Sequence, residues 1–323
     1  MMQSVTSQAT QRRQVSVLAR LVGARSEAQA RDAVWGYVFL LPWVIGLIVF
    51  WLGPILMSFV LSFTRYDAIS APIYIGLDNY KTALFSDPLF WPSLLRTFEY
   101  SAVVVPVGLF GSLGLAALLN QGAKGTNVFR TMFFLPTLTP AVALVLLWSW
   151  LFQPEIGPIN YILRGIGVNP VPGWFGSQYW ALPSIIIINL WASMGGNTML
   201  IFLAGLQGVP QEFYEAASLD GAGPWARFRH ITLPMVSPTF FFNLVLGIIG
   251  ALKVFTTAFV ATQGGPAYAT WFFALHIYQQ AFSFFKMGYG SALAWIFVVV
   301  LLVFTYFQLV WSRRWVYYAG AEE

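Results

Sequence analysis

Glu215-Ala216-Ala217-Ser218-Leu219-Asp220-Gly221, followed after nine residues by Ile231-Thr232-Leu233-Pro234, is a charged, small-residue stretch set between two strongly apolar ones. Residues 165–211 before it and 231–252 after it contain no Asp, Glu, Lys or Arg. A polar interruption between two such runs reads as a surface segment joining membrane-spanning helices, each of which needs roughly 20 apolar residues.

Outward from there the pattern repeats. Further charge-free runs cover 33–64, 100–123, 131–154, 254–285 and 287–312, and only 9% of the 323 residues are charged against 58% hydrophobic. That charged fraction is about a third of what a soluble domain carries, so most of the surface faces something other than water. Asn169-Pro170-Val171-Pro172-Gly173 reads as loop, and Gln263-Gly264-Gly265-Pro266 interrupts the 254–285 run. The expectation is an all-α integral membrane protein with six transmembrane helices, at about 34–64, 97–120, 129–152, 179–207, 235–260 and 289–312. Pro42, Pro54, Pro106, Pro136 and Pro140 fall inside these spans, where neighbouring helices can re-satisfy the freed carbonyls. Long apolar runs rather than short alternating segments argue against an outer-membrane barrel.

Six spans place both termini on one side, together with the loops near 121–130 and 208–234. That side holds Arg12, Arg13, Arg20, Arg25, Arg31, Lys124, Arg130, Arg227, Arg229, Arg313 and Arg314. The other holds Arg65, Lys81, Arg96, Arg164 and Lys286, with Lys253 inside a span. Eleven against five puts both termini in the cytoplasm by the positive-inside rule. The net charge of +5 is thereby explained by topology, and nucleic acid is not implied.

The expected organisation is a cytoplasmic tail over 1–33, a first helix over 34–64, an external loop over 65–95, a five-helix core over 96–312 containing the 208–234 segment, and a cytoplasmic tail over 313–323. The first apolar run is longer than a signal-peptide core and is read as a retained anchor. Val15, Leu18, Leu21 and Val22 with Arg12, Arg13 and Arg20 suit an amphipathic helix on the inner leaflet, and equally a mobile tail. Gly108, Gly111, Gly114 and Ala117 recur at every third position of the second span, a groove of small residues for close helix approach. With no cysteine, disulfides, thiolate metal sites and cysteine catalysis are excluded.

Within 208–234, Pro210 suits a helix start. Glu212 and Glu215 sit where acids favour the helix dipole, and Gly221 is a natural C-terminal cap. Pro224 starts a second short helix, and Pro234 marks its junction with the fifth span. Ala216 and Ala217 leave little bulk, so the backbone can seat in a partner's groove. Phe213, Tyr214 and Leu219 offer apolar anchors, while Glu212, Glu215 and Asp220 offer charges that fix register.

Glu-Ala-Ala, three residues, Gly, nine residues, Ile, one residue, Leu-Pro resembles the signature of the membrane subunits of bacterial ATP-binding-cassette importers served by an external binding protein. Glu215, Ala216, Ala217, Gly221, Ile231, Leu233 and Pro234 occupy it without a gap. Ala251-Leu252-Lys253-Val254-Phe255, Thr262-Gln263-Gly264-Gly265-Pro266, Thr270, Tyr278, Phe282 and Gly288-Tyr289 are similar to the maltose-type sugar permeases, specifically the first of their two paired subunits.

The resemblance covers about 34–312 and implies a type I importer transmembrane fold. It implies a bacterial cytoplasmic (inner) membrane location, and a second homologous permease, two ATPase subunits and an extracytoplasmic solute-binding protein as partners. Residues 211–223 would be the coupling helix docked in the ATPase. ATP and Mg would belong to the partner ATPases; this chain has no phosphate-binding loop and no cofactor of its own. The solute class implied is a disaccharide, oligosaccharide, polyol or glycerol phosphate.

Polar residues inside spans are the substrate-path candidates, because an unpaired polar group in hydrocarbon is costly. Asn189, Ser193 and Asn197 are spaced four apart on one face of the fourth span; Asn243, Lys253, Thr256 and Thr257 are the polar set of the fifth. Interhelical hydrogen bonding explains each asparagine equally well, and snorkelling or a carboxylate partner explains Lys253. Trp191 and Phe255 could stack on a sugar face, and Gly264, Gly265 and Pro266 form an external turn that could fold toward the binding protein or the cavity.

His230 and His276 lie in no ligand-spaced motif, and no carboxylate or serine constellation suggests an enzyme. The rival readings are a permease for a non-sugar solute and an ATP-independent secondary carrier. A carrier should show an inverted repeat and an intramembrane acid, and neither is evident.

Overall fold

The structure, a computed structural model, describes residues 27–122 and 124–317. The expected amphipathic helix near residues 12–22 lies outside the described residues, while 27–33 of the expected tail already belong to the first helix. By its internal contacts the chain divides into two units, Met1–Val60 and Leu61–Glu323.

In the first unit, α1 (Glu27–Gly46) leads through a π turn over Leu47–Leu52 into α2 (Gly53–Leu61). Pro54 has no N–H to offer the carbonyl one turn back, so the helix widens there and Gly53 N–H bonds Ile48 O instead. Arg31–Leu61 is long and apolar enough to cross a membrane, and none of its most apolar window is buried. Trp35, Phe39, Phe50 and Trp51 are exposed, as side chains solvated by lipid can be.

The second unit opens with a two-stranded hairpin, β1 (Thr64–Arg65) antiparallel to β2 (Ile73–Tyr74), then α3 (Asp78–Lys81) and a π turn over Thr82–Ser86. The buried Asn79 side chain donates to Ser62 O at 2.9 Å and Thr64 O at 2.8 Å, pinning this segment. α4 (Phe90–Leu119) starts inside the expected 65–95 loop. Asp87 Oδ1 accepts the Leu89 N–H at 2.8 Å near the helix start, and Arg96 pairs with Glu99 at 2.7 Å.

Two expected straight spans are broken. In place of a helix over 129–152 stand α5 (Thr126–Phe134), a 3-10 turn over Leu135–Leu138 and α6 (Ala141–Leu151), bent by 99°. Pro136 and Pro140 each remove a ladder donor within five residues, which a single helix does not survive. After α7 (Pro158–Gly165), the 179–207 span is α8 (Ala181–Ser193) and α9 (Asn197–Gln207), bent by 46° at Gly195-Gly196. There a Cβ on Gly195 would lie 2.2 Å from Phe133 O, and one on Gly196 2.2 Å from Thr137 Oγ1. The two bends thus pack on each other, with Thr137 Oγ1 donating to Ala192 O at 3.1 Å.

The polar segment forms α10 (Gln211–Leu219), α11 (Pro224–Arg227), a π turn over Phe228–Thr232 and α12 (Leu233–Met235). Then come α13 (Ser237–Leu252) and α14 (Thr256–Ala261), a turn, α15 (Phe273–Tyr278) with a π turn over Gln279–Ser283, and α16 (Met287–Ser312). Among the described residues four helices are long and apolar enough to cross a membrane, or up to six if each bent pair is one span.

The main core joins α4, α8, α9 and α13 to the 254–275 segment, through Leu109, Ile185, Met199, Phe202, Phe272 and Leu275. A second core sets Phe90 and Leu94 against Phe273, Leu293 and Phe297, and a third gathers Trp148, Phe152 and Trp174. The small-residue groove of α4 works over part of its length. A Cβ on Gly111 would collide with Met194 at 2.0 Å and one on Gly108 would touch Leu190 at 3.7 Å, whereas Gly114 faces open space.

Candidate functional site

The 208–234 segment folds as a helix, a tight turn and a second helix. Gly221 takes φ +76°, with its N–H on Ser218 O at 3.1 Å and the Ala222 N–H on Ala217 O at 2.9 Å. This paired closure is the Schellman ending, and its left-handed residue is why glycine stands there. Arg227 Nη1 donates to Ser218 Oγ at 3.0 Å, and Tyr214 Oη lies 2.9 Å from Thr232 Oγ1, so two side-chain bonds tie the limbs together. Glu212, Glu215, Ala216, Leu219 and Asp220 are exposed, and Phe213 and Trp225 stand out beside them. Tyr214 is no free anchor: it is half-buried against the main core, because its hydroxyl is bonded to the buried Thr232. Ile231 packs on the same core, while Leu233 is exposed and, with Pro234, lines an apolar groove of about 790 Å³ between α4, α13 and α16. Lined almost wholly by hydrocarbon and aromatic side chains, that groove offers little to hydroxyl-rich solutes.

A cavity of about 250 Å³ lies between α4, α8, α9 and α13. Asn189, Ser193 and Asn243 meet in it, joined by Tyr100, Ser112 and Thr198. Asn189 Nδ2 donates to Ile185 O at 2.8 Å and Asn243 Nδ2 to Thr239 O at 3.1 Å, each one turn back along its own helix. Asn189 Oδ1 accepts a long bond of 3.4 Å from Thr257 Oγ1. Ser112 Oγ is buried without a partner, an acceptor and donor held in reserve on the α4 wall. Gly108, Gly247 and Gly250 lower the walls, so the small-residue face of α4 serves the cavity as well as helix packing.

The remaining path candidates lie elsewhere. Asn197 is exposed beyond the Gly195-Gly196 bend, which takes it off the face shared by Asn189 and Ser193. Trp191 packs edge-on against Trp148 at 5.8 Å. Lys253 is exposed where the helix breaks between α13 and α14. Thr256 begins α14, and it is its neighbour Thr257 that reaches Asn189. Phe255 stacks on Phe259 at 5.3 Å, with Tyr278 beside both.

The turn at Gly264, Gly265 and Pro266 is closed upon itself. Gly264 has φ +89°, Thr270 Oγ1 donates to Gly265 O at 2.9 Å, and Thr262 and Thr270 hydroxyls lie 2.6 Å apart. The Trp271 ring covers Gly264 so closely that a Cβ there would sit 2.4 Å from it.

One cluster escaped the sequence reading. His276, fully buried, lies with Nε2 2.8 Å from Asp87 Oδ2, which also accepts the Tyr289 hydroxyl at 2.5 Å. Trp271 Nε1 donates to His276 Nδ1 at 3.1 Å. Burial pushes His276 below its ordinary value and outweighs the attraction of Asp87. Burial raises the Asp87 carboxyl, but hydrogen bonds from Tyr289, the Leu89 N–H and His276 together hold it below the usual range. Asp87 and His276 are 189 positions apart, so spacing could not pair them. The available signal was a lone imidazole in a charge-free run, which had to find a partner.

The model of the family described as binding-protein-dependent transport system inner membrane component matches residues 108–317. The chain is 40% identical over 302 residues to the probable ABC transporter permease protein YesP of Bacillus subtilis (strain 168), covering 93% of this chain and 97% of that protein. It is 35% identical to the trehalose/maltose transport system permease protein MalF of Thermococcus litoralis, covering 89% of this chain and 97% of that one. A crystal structure of a bacterial ABC transporter involved in the import of the acidic polysaccharide alginate superposes with a TM-score of 0.78, at 25% identity over 89% of this chain and 98% of that chain. With the match extending from the small-residue groove of α4 through the polar segment to the last helix, the chain belongs to the inner membrane components of binding-protein-dependent transport systems.

Proposed function

We propose that the chain is one of two paired permease subunits of an ATP-driven importer and forms half of the pathway for a carbohydrate delivered by a solute-binding protein. Counting each bent helix pair as one span gives six, and the distribution of Arg and Lys supports both termini and the 208–234 segment being cytoplasmic. The observation that carries the reading is the shape of that segment. Its acidic residues and Ala216 lie exposed, with Ala217 half-buried, on a helix whose far end is locked by Gly221 and whose return limb is tied back through Tyr214 and Arg227. A rigid, exposed helix of this kind transmits a push from an ATPase to α9 and α13, between which it sits in the chain. The cavity with Asn189, Ser193 and Asn243 is the proposed solute contact. At about 250 Å³ it is smaller than the sites that enclose drug-sized ligands, so an oligosaccharide requires the helices around it to separate.

The test is reconstitution with a second permease, the ATPase pair and the binding protein, measuring sugar uptake and ATP hydrolysis. Hydrolysis stimulated by sugar-loaded binding protein is expected. Uptake by this chain on an ion gradient alone would overturn the reading in favour of a secondary carrier.

A further inference from the structure

We propose that His276 is the positioning residue of a proton-released latch, which holds Trp271, and with it the cover over the Gly264–Pro266 turn, to the segment before α4. The geometry specifies the proton. An indole N–H can only donate, so the Trp271 bond at 3.1 Å requires a bare Nδ1 on His276. The ring proton is then on Nε2, which donates to Asp87 Oδ2 at 2.8 Å. Every polar atom of the imidazole is thus used, and used only in the neutral Nε2–H form.

The bonds reach four parts of the chain. Asp87 belongs to the segment ahead of α4, and its other oxygen holds the Leu89 N–H. Tyr289 stands in the first turn of α16, and its hydroxyl is on the same Asp87 oxygen. Trp271 roofs Gly264, and Phe273 N–H bonds Thr97 Oγ1 at 2.9 Å, tying the start of α15 to α4. Moving His276 therefore moves Trp271 and its cover over the turn relative to Asp87, while Tyr289 keeps the head of α16 on Asp87.

A proton arriving at His276 can only add to Nδ1. The imidazolium N–H would then point at the indole N–H, and the Trp271 bond would be lost, although the charge would still favour Asp87. Of the other charged groups on the surrounding elements, Arg65, Asp67, Asp78 and Lys286 line the adjoining cleft with Asp87, Arg96 and Glu99 on α4 pair with each other at 2.7 Å, and Nδ1 accepts from Trp271. Acid therefore releases Trp271 and with it the cover over Gly264. The latch's role in transport rests on the importer reading; its protonation chemistry does not.

The chain has two histidines, so ¹⁵N-histidine spectra of the full chain in lipid nanodiscs resolve both, with His230→Gln assigning His276 by elimination. The expected result is an Nε2–H tautomer at neutral pH that titrates below the ordinary histidine value. Trp271→Phe keeps an aromatic ring over Gly264 and removes the donor, so the midpoint should rise. Asp87→Asn removes the attracting charge, so the midpoint should fall. Shifts of opposite sign are not produced by loosened packing. An Nδ1–H tautomer, or a midpoint unmoved in either folded variant, would overturn the latch. In the assembled transporter, the acid limb of uptake should follow the Trp271→Phe shift. Uptake indifferent to pH, with the spectroscopic shifts intact, would remove the latch from transport; uptake without any ATP dependence would instead sink the importer reading.

Discussion

Tyr214 Oη and Thr232 Oγ1 lie 2.9 Å apart, joining the middle of α10 to the π turn that leads toward α13. Thr232 is buried and Tyr214 half-buried, so the bond is shielded from water, unlike the exposed Arg227–Ser218 contact. Tyr214→Phe removes one hydroxyl and leaves the ring packed. It should cost about 1 kcal/mol of stability, the worth of a typical hydrogen bond, read as a lower thermal midpoint. A double-mutant cycle with Thr232→Val should return a coupling of similar size. If α10 transmits force, the same variant should lower binding-protein-stimulated ATP hydrolysis more than it lowers membrane insertion.

Gly221 makes a cleaner test of the turn, because nothing lies within 4 Å of a Cβ built on it. Any cost of Gly221→Ala is then conformational, from φ +76°, and should be about 1 kcal/mol; Gly221→Asn, which tolerates that region, should recover most of it. Glu215→Lys changes an exposed charge without touching the fold. Insertion and thermal midpoint should stay put while co-purification with the ATPase is lost. Retained co-purification in both Glu215→Lys and Gly221→Trp would remove this helix from the interface.

The 208–234 fold was legible because its signals are local: Pro224 at a helix start, Gly221 at a helix end, and acids in the first turns. Charge-free runs likewise located the long helices, since length and apolarity are additive along the chain. What could not be read was whatever depends on two distant segments meeting. From the sequence alone Pro136 and Pro140 are compatible with a single span over 129–152, and the 99° bend found there involves packing of the turn on Gly195 and Gly196. Asn197 was placed with Asn189 and Ser193 by counting residues through those same glycines, where the helical count stops. Tyr214 looked like a free anchor because Thr232 is eighteen positions away.

The bend at Gly195 should tolerate no side chain. A Cβ there meets the backbone of Phe133 at 2.2 Å, and a carbonyl cannot swing aside as a rotamer can. Gly195→Ala should therefore cost about 1–3 kcal/mol, as overpacked sites do, and lower the yield of folded protein. Gly114→Ala on α4, with no neighbour within 4 Å, should be neutral to slightly stabilising. Equal behaviour of the two in a thermal unfolding series would contradict the packing of the two bends.

Stability should fall with acid in two stages. His276 is held below its ordinary value in the native state, so beneath about pH 6.5 the unfolded chain takes up a proton that the native chain refuses. Asp87 is also held below its ordinary value, so its contribution is present above the unfolded carboxylate range and is lost as pH falls through its native value. Both slopes have the same sign, stability rising with pH. Midpoints measured from pH 8 to pH 2 should decline first near the histidine step and again below about pH 4, and His276→Asn should flatten the first step while the Tyr289 and Leu89 bonds keep a smaller carboxylate step.

The polar cavity separates asparagines that the sequence treated alike. Asn189 and Asn243 line it with their amide nitrogens donating to their own helices, so a sugar hydroxyl would be accepted by the amide oxygens, at Asn189 in exchange for the long Thr257 bond. Replacing either by Ala removes an acceptor, buried at Asn243 and half-buried at Asn189, whose loss leaves a solute hydroxyl unpaired, worth about 1–3 kcal/mol, or roughly 5- to 150-fold in uptake at limiting sugar. Asn197 is exposed on the far side of the bend, and Asn197→Ala should change uptake less than about twofold. The ATPase readout discriminates pathway from scaffold. A pathway residue should lower uptake while leaving ATP hydrolysis stimulated by the binding protein, whereas a residue that only fastens α8 to α13 should lower both together.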